Sequence, residues 1–261
     1  MRQGRKRGAR SAELANAKGR RSQSDRPGTR RREPISGEFL VEGWRREIDE
    51  LLASAGAQGL TVDSQAPARL LSFCLQVNAD ARITGLVSKA DLPLLVRKHV
   101  AASLGVLLVE EPSPRKRWID VGSGGGFPGM VVKICRPDAR IVLLDSSLKK
   151  TEFLSRAGKT LSLDGMEVVR GRVEKTPAGS PGFDVILMRA VASLSESLRL
   201  LNGIAILGTK LLTYKGLAWD KELKEANEAM GVLGWQFEGI HPVPWAPSRI
   251  LKLVRTAVEQ S

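Results

Sequence analysis

The stretch Asp120-Val121-Gly122-Ser123-Gly124-Gly125-Gly126-Phe127-Pro128-Gly129 constrains this chain more than any other. It follows a short apolar run, Trp118 to Val121, and leads into an apolar, helix-compatible run from Gly129 to Cys135. Glycines directly behind a strand let the backbone turn tightly and approach a ligand with no Cβ in the way. Pro128 suits the first turn of the helix that follows. A second apolar run, Ile141 to Leu144, ends in Asp145, 23 residues after Gly122. A carboxylate at that strand end accepts hydrogen bonds from ribose hydroxyls. Strand, glycines, helix, strand and terminal acid together point to a nucleoside-cofactor site built on Gly122, Gly124, Gly126 and Asp145.

The rest of the chain agrees with this local pattern. Strands are expected at 118–121, 141–144, 166–169, 183–188, 211–214, 235–240 and 250–254. Helices are expected between them, among them 148–162 with Leu148, Phe153, Leu154 and Leu161 inward, and a polar helix over 219–232. Such alternation predicts a doubly wound α/β sheet with right-handed crossovers over residues 113–258. Before it, Leu40, Trp44, Ile48 and Leu51 step at helical spacing, and Leu70, Leu71, Cys74 and Val77 continue it. A third helix is expected from Asp91, as its cap, to about Leu107. Residues 35–112 therefore read as a small helical subdomain.

The 261 residues carry 41 Lys and Arg against 28 acids, a net charge of +13. That excess points to a polyanionic partner. It is unevenly spread: the first 34 residues hold twelve of the cations and three of the acids, with Leu14 as the one large aliphatic residue. Such a segment buries too little apolar area to offset its ordering entropy, so 1–34 is expected to be a disordered basic arm. Uncharged runs reach about twelve residues, short of the ~20 a membrane-spanning helix needs, and no membrane partner is expected. Cys74 and Cys135 lie in apolar stretches and form no CxxC; with His99 and His241 they give no metal-ligand spacing, so no metal is expected. Two buried thiols fit a reducing, cytoplasmic compartment.

A triphosphate loop is disfavoured, because no Gly-Lys-Ser/Thr is present. Gly124, Gly126 and Gly129 fit GxGxxG, so a dinucleotide stays open on the residues alone. S-adenosylmethionine asks less of the chain: a ribose acid, an adenine pocket and room for a sulfonium. The run Trp118–Gly129, then Leu143-Leu144-Asp145-Ser146 with Lys149 and Lys150, resembles the RsmG (GidB) family of bacterial 16S rRNA guanine-N7 methyltransferases. Arg172-Val173-Glu174, Arg189-Ala190-Val191-Ala192, Lys215-Gly216 and Arg249 follow in the family's order. The resemblance covers roughly 70–255. Two segments depart from it: Val77-Asn78-Ala79-Asp80-Ala81-Arg82-Ile83-Thr84 lacks the family's aromatic, and Lys98-His99-Val100-Ala101-Ala102-Ser103 has Ala102 where the family carries Asp.

The resemblance implies a class I, Rossmann-like methyltransferase fold, with seven mostly parallel strands and an antiparallel last hairpin. It implies S-adenosyl-L-methionine as donor and 16S rRNA, free or in the small ribosomal subunit, as acceptor; a monomer is expected. Carried over by position, Gly122, Phe127, Val173, Glu174 and Arg189 line the cofactor site. Guanine N7 carries a lone pair and no proton, so methylation is a direct displacement and needs no general base. Side chains are left to position the RNA, with Lys149, Arg172, Arg189, Lys215 and Arg249 as candidates. Lys149 and Lys150 begin a helix, where the dipole disfavours cations, a conflict that points one of them to function. His99 reads as a satisfied core or interface histidine as readily as a site residue. Two alternatives share these features: a methyltransferase of another RNA, and a non-catalytic RNA-binding or ribosome-assembly factor that keeps the fold.

Overall fold

The computed structural model describes residues 37–176, 181–189 and 191–257. The expected basic arm lies outside the described residues. The sheet has seven strands: β1 (Arg117–Val121), β2 (Arg140–Asp145), β3 (Met166–Arg170), β4 (Phe183–Met188), β5 (Ala205–Lys215), β6 (Trp235–Pro242) and β7 (Arg249–Arg255). Their order is β3-β2-β1-β4-β5-β7-β6. The first five run parallel, and β7 is antiparallel to both β5 and β6. This is the Rossmann-like class I arrangement. Strand order reverses beside β1, so the carboxyl ends of β1 and β4 flank the crevice where such sheets bind ligands.

Helices cover both faces, which is why the central strands are apolar runs rather than alternating ones. Trp118, Ile141, Leu143, Val185 and Leu187 face one layer: α1 (Gly37–Ala57), α2 (Ala66–Thr84), α3 (Ala101–Leu104), α4 (Val106–Val109), α5 (Gly129–Cys135) and α6 (Leu148–Thr160). Ile119, Val121, Ile186 and Met188 face the other, formed by α7 (Leu194–Leu201), α8 (Trp219–Glu225) and α9 (Asn227–Leu233). The N-terminal helices share one core with the sheet. Phe73 on α2 meets Phe127 of the glycine turn at 5.3 Å and Phe153 on α6 at 6.3 Å between ring centroids. Truncating such a buried ring to alanine costs about 3–5 kcal/mol.

Several local expectations need correction. Leu148 does not point inward: it is 48% exposed in the first turn of α6. The run Gly129–Cys135 hides a fully buried Lys133, whose ammonium donates to the Pro137 and Ala139 carbonyls and closes the turn into β2. Helix 219–232 breaks at Ala226 into α8 and α9. The fifth strand begins at Ala205, six residues early, because it pairs with β4 across an irregularity at Phe183/Val185. The helix expected from Asp91 is a 3-10 turn (Leu92–Leu94), a π-helical stretch (Leu95–Val100), then α3 and α4. Asp91 makes no cap bond; its carboxylate turns to Lys98 instead, at 2.6 Å. The 18 residues Leu92–Val109 have a mean hydropathy of 1.6, but 56% of them are buried in the fold, as in a core helix.

Candidate functional site

The glycine turn is folded down on the end of β2. The amides of Gly122 and Ser123 donate to the Leu144 carbonyl at 2.8 and 3.0 Å. Asp145 completes the join: one carboxylate oxygen accepts from the Gly124 amide and the other from the Ser147 amide, each at 2.9 Å. Gly122, Gly124 and Gly126 have positive φ (74°, 55° and 91°), which explains glycine at these positions. A cleft of about 290 Å³ opens beside the join, lined by Gly122, Asp145, Arg172, Val173, Glu174 and Val191, among others. A Cβ on Gly122 would stand 2.7 Å from Val191 Cγ2, across this cleft. A larger groove of about 540 Å³ runs between α6 and β3 and holds none of the candidate residues.

On the other side of the turn lies a second polar group. Asp120 is 1% exposed, and one oxygen accepts from the Gly129 amide at 2.9 Å. Its second oxygen is buried without a partner. Burial pushes the Asp120 carboxyl up to about 7, against the opposing pull of Arg189. Arg189 follows β4 directly and lies over the Tyr214 ring at 5.4 Å, and its Nη1 is likewise buried and unpaired. The Tyr214 hydroxyl donates to the Ala102 carbonyl at 3.1 Å, tying β5 to the helical layer. His99 is not the satisfied core histidine of the simpler reading: its Nε2 is buried and unpaired.

The candidate residues thus divide. Gly122, Asp145, Arg172, Val173 and Glu174 line one cleft. Gly124 and Gly126 shape the turn behind it. Phe127 is outside that lining, its ring against Phe73 and His99. Arg172 and Glu174 are exposed and approach each other at 3.9 Å. Lys149 is exposed on the first turn of α6. Lys215 is drawn into an ion pair with Glu222 on α8 at 2.5 Å, its side chain 7% exposed. Arg249 opens β7 opposite it in register. Both cysteines are buried, and burial pushes their thiols up to about 12, too high for a thiolate nucleophile. Sequence reasoning passed over Asp120, Asp91 and Tyr214 as site residues. Asp120 had a signal: an acid inside an otherwise apolar strand, one residue before the glycines.

These groups fit S-adenosylmethionine. A carboxylate has about four acceptor sites, so Asp145, with two backbone donors, retains capacity for ribose hydroxyls. At Gly122 a Cβ would meet the Val191 side chain, so glycine lets the turn and the cleft wall approach closely. The unpaired Asp120 oxygen and Arg189 nitrogen match an ammonium and a carboxylate, the two ends of the donor's amino-acid moiety.

Known proteins share this fold and this sequence pattern. The solved structure of the mitomycin 7-O-methyltransferase MmcR has the same fold, with a TM-score of 0.52 at 18% identity over 86% of this chain and 73% of that one. A Leuconostoc mesenteroides protein named ribosomal RNA small subunit methyltransferase G is 32% identical over 212 residues, 78% of this chain and 87% of its own. A protein of the same name from Pseudomonas paraeruginosa is 33% identical over 200 residues, 74% of this chain and 92% of its own. The GidB family profile, described as rRNA small subunit methyltransferase G, matches residues 68–243. With a match across most of the α/β domain and the second and third helical segments, this chain belongs to the rRNA small subunit methyltransferase G (GidB) family.

Proposed function

We infer that this protein transfers a methyl group from S-adenosylmethionine to N7 of a guanine in 16S rRNA. The observation that carries this reading is the glycine turn pinned to Asp145 beside a cleft at the sheet's carboxyl edge, in a chain of this family. S-adenosylmethionine, when bound, supplies a methyl group on a sulfonium, ready for displacement. Asp145 holds the ribose, and Val173 and Glu174 line the adenine end. Asp120 and Arg189 hold the amino-acid end. The reaction removes no proton from N7, and the site accordingly offers orientation and fixed charge rather than a base. Lys149, Arg172 and Arg249 are the cations left to hold phosphates. Lys215 acts at one remove, by anchoring α8 through Glu222.

The basic arm supplies sequence-independent attraction to RNA, which salt weakens. The decisive experiment is incubation with labelled S-adenosylmethionine and undermethylated small-subunit rRNA, followed by mapping of the label. The expected result is one labelled guanine, methylated at N7. A folded, cofactor-binding protein that leaves this RNA unlabelled would overturn the reading.

A further inference from the structure

Asp91 and His99 are unused by the mechanism above, yet the fold brings them together beside the glycine turn. Asp91 Oδ2 lies 3.6 Å from His99 Nε2, just beyond hydrogen-bond reach, and Nε2 is buried with no partner. Asp91 Oδ1 accepts from Lys98 Nζ at 2.6 Å, which fixes the plane of the carboxylate. The Asp91 and His99 side chains are 20% and 13% exposed, and the exposed part of His99 is the rest of its ring, with Nε2 itself covered. The charge of Arg189, at the end of β4, acts on both of them. The His99 ring rests against Phe127 of the glycine turn at 5.2 Å. A carboxylate acceptor and an imidazole nitrogen therefore stand side by side where the helical layer meets the glycine turn.

That pairing is complementary to one base. The Watson–Crick edge of guanine offers two adjacent donors, N1–H and the exocyclic amine, next to the acceptor O6. Adenine, cytosine and uracil each lack two adjacent donors there. Enzymes that act on an extruded base commonly read this edge. Gripping it leaves N7, on the five-membered ring, free to face the donor. Methylation at N7 also gives the base a positive charge, which a nearby carboxylate stabilises and a protonated histidine would oppose. Burial and the Arg189 charge bring His99 down to about 4, so its imidazole is neutral.

We propose that Asp91 and His99 form the acceptor-recognition pair: Asp91 accepts from N1–H and the exocyclic amine of the target guanine, and His99 Nε2–H donates to O6. This rests on the guanine-N7 reading above. It assigns the helical layer a direct part in choosing the base.

The test uses the full chain, with the guanine labelled by the wild type replaced by inosine, which keeps N7, O6 and N1–H and lacks the exocyclic amine. The wild type is expected to prefer guanosine by about tenfold in kcat/KM, the low end for one bidentate contact. Asp91→Asn should lose about tenfold on guanosine while barely changing on inosine. His99→Phe, which keeps a ring against Phe127, should lose activity on both RNAs, with partial rescue in His99→Gln. Affinity for S-adenosylmethionine and the melting temperature should stay at wild-type values in all three. Equal losses on guanosine and inosine in Asp91→Asn, full activity in His99→Phe, or a parallel loss of cofactor affinity would each overturn the pair. A wild type that labels no guanine would instead overturn the guanine-N7 reading beneath it.

Discussion

Two regions of the molecule hold the same chemical ingredients in opposite states. Near the start of β1, Glu110 has a 6% exposed side chain and meets three lysines: Lys116 at 2.6 Å, Lys210 at 2.8 Å and Lys252 at 3.4 Å. Around the carboxyl ends of β1 and β4, Asp120, Arg189 and His99 are also acid and base neighbours, yet each keeps a buried atom without a partner. A buried polar group without a partner costs about 1–3 kcal/mol, so folding alone does not favour the second arrangement. The paired cluster serves the fold, and the unpaired one is where the proposed binding of the donor would supply the missing partners.

This contrast predicts that substitutions in the two regions separate stability from binding. The largest effect is expected at Asp145. Asp145→Ala removes charge-assisted bonds of about 1.5–3 kcal/mol each, so affinity for S-adenosylmethionine should fall roughly ten- to 100-fold by calorimetry, with the protein folded. Unchanged affinity would put the ribose elsewhere.

Glu110→Gln should do the reverse. Stability in urea is expected to drop by about 2 kcal/mol, less than for a fully buried pair because the lysines stay partly solvated. Cofactor affinity should not change. Burial by itself would raise the Glu110 pKa, but the hydrogen bonds and charges of Lys116 and Lys210 outweigh it and hold the carboxyl below its usual value. This contribution is therefore fully present above the ordinary glutamate value of about 4.3, and it is lost as the pH falls through the lower folded value. Acid titration of the wild type against Glu110→Gln should show the two curves converging at low pH.

Gly122→Ala places a side chain at φ +74°, a strain of about 1–2 kcal/mol, with its Cβ against Val191. Cofactor affinity and melting temperature should both fall, and affinity alone should recover partly in Gly122→Ala/Val191→Ala.

The smallest effect concerns Asp120, whose pKa rises from 3.8 to about 7. Across that window the folded state holds a proton the unfolded state has released, so this group's contribution to stability declines as pH rises. Its ionised form is the better partner for an ammonium. Affinity for S-adenosylmethionine should climb by up to about tenfold between pH 6 and 8. Asp120→Asn should flatten that rise and raise the melting temperature above pH 7. A pH-independent affinity in the wild type would remove Asp120 from the binding site.

The cleft beside the glycine turn was legible in the sequence because it is made from contiguous pieces. The Gly122–Gly126 turn, Asp145 and Arg172-Val173-Glu174 each follow a strand directly, and parallel strands bring their carboxyl ends to one edge. Leu148 misled because helical periodicity near a first turn does not reveal whether anything covers it. The Lys215 ion pair is not legible in the sequence, because its partner, Glu222, sits on a helix whose docking no local pattern reports. The sequence leaves His99 open between a packed histidine and a site residue, because its apolar neighbours are visible there and its missing hydrogen-bond partner is not.

By itself, then, the sequence determined the α/β class, the glycine turn with the acid at the end of β2, and the family. Those rest on local rules: strand and helix periods, backbone freedom at glycine, and charge placed at strand ends. The tertiary structure decided which polar groups are satisfied. It joined Glu110 to Lys116, Lys210 and Lys252, set Arg189 over Tyr214, and brought Asp91 to His99 across an irregular helical run. Hydrogen-bond satisfaction and burial are properties of packed neighbours distant in the chain, so only the folded molecule shows which charges are spent on stability and which are left for the ligand.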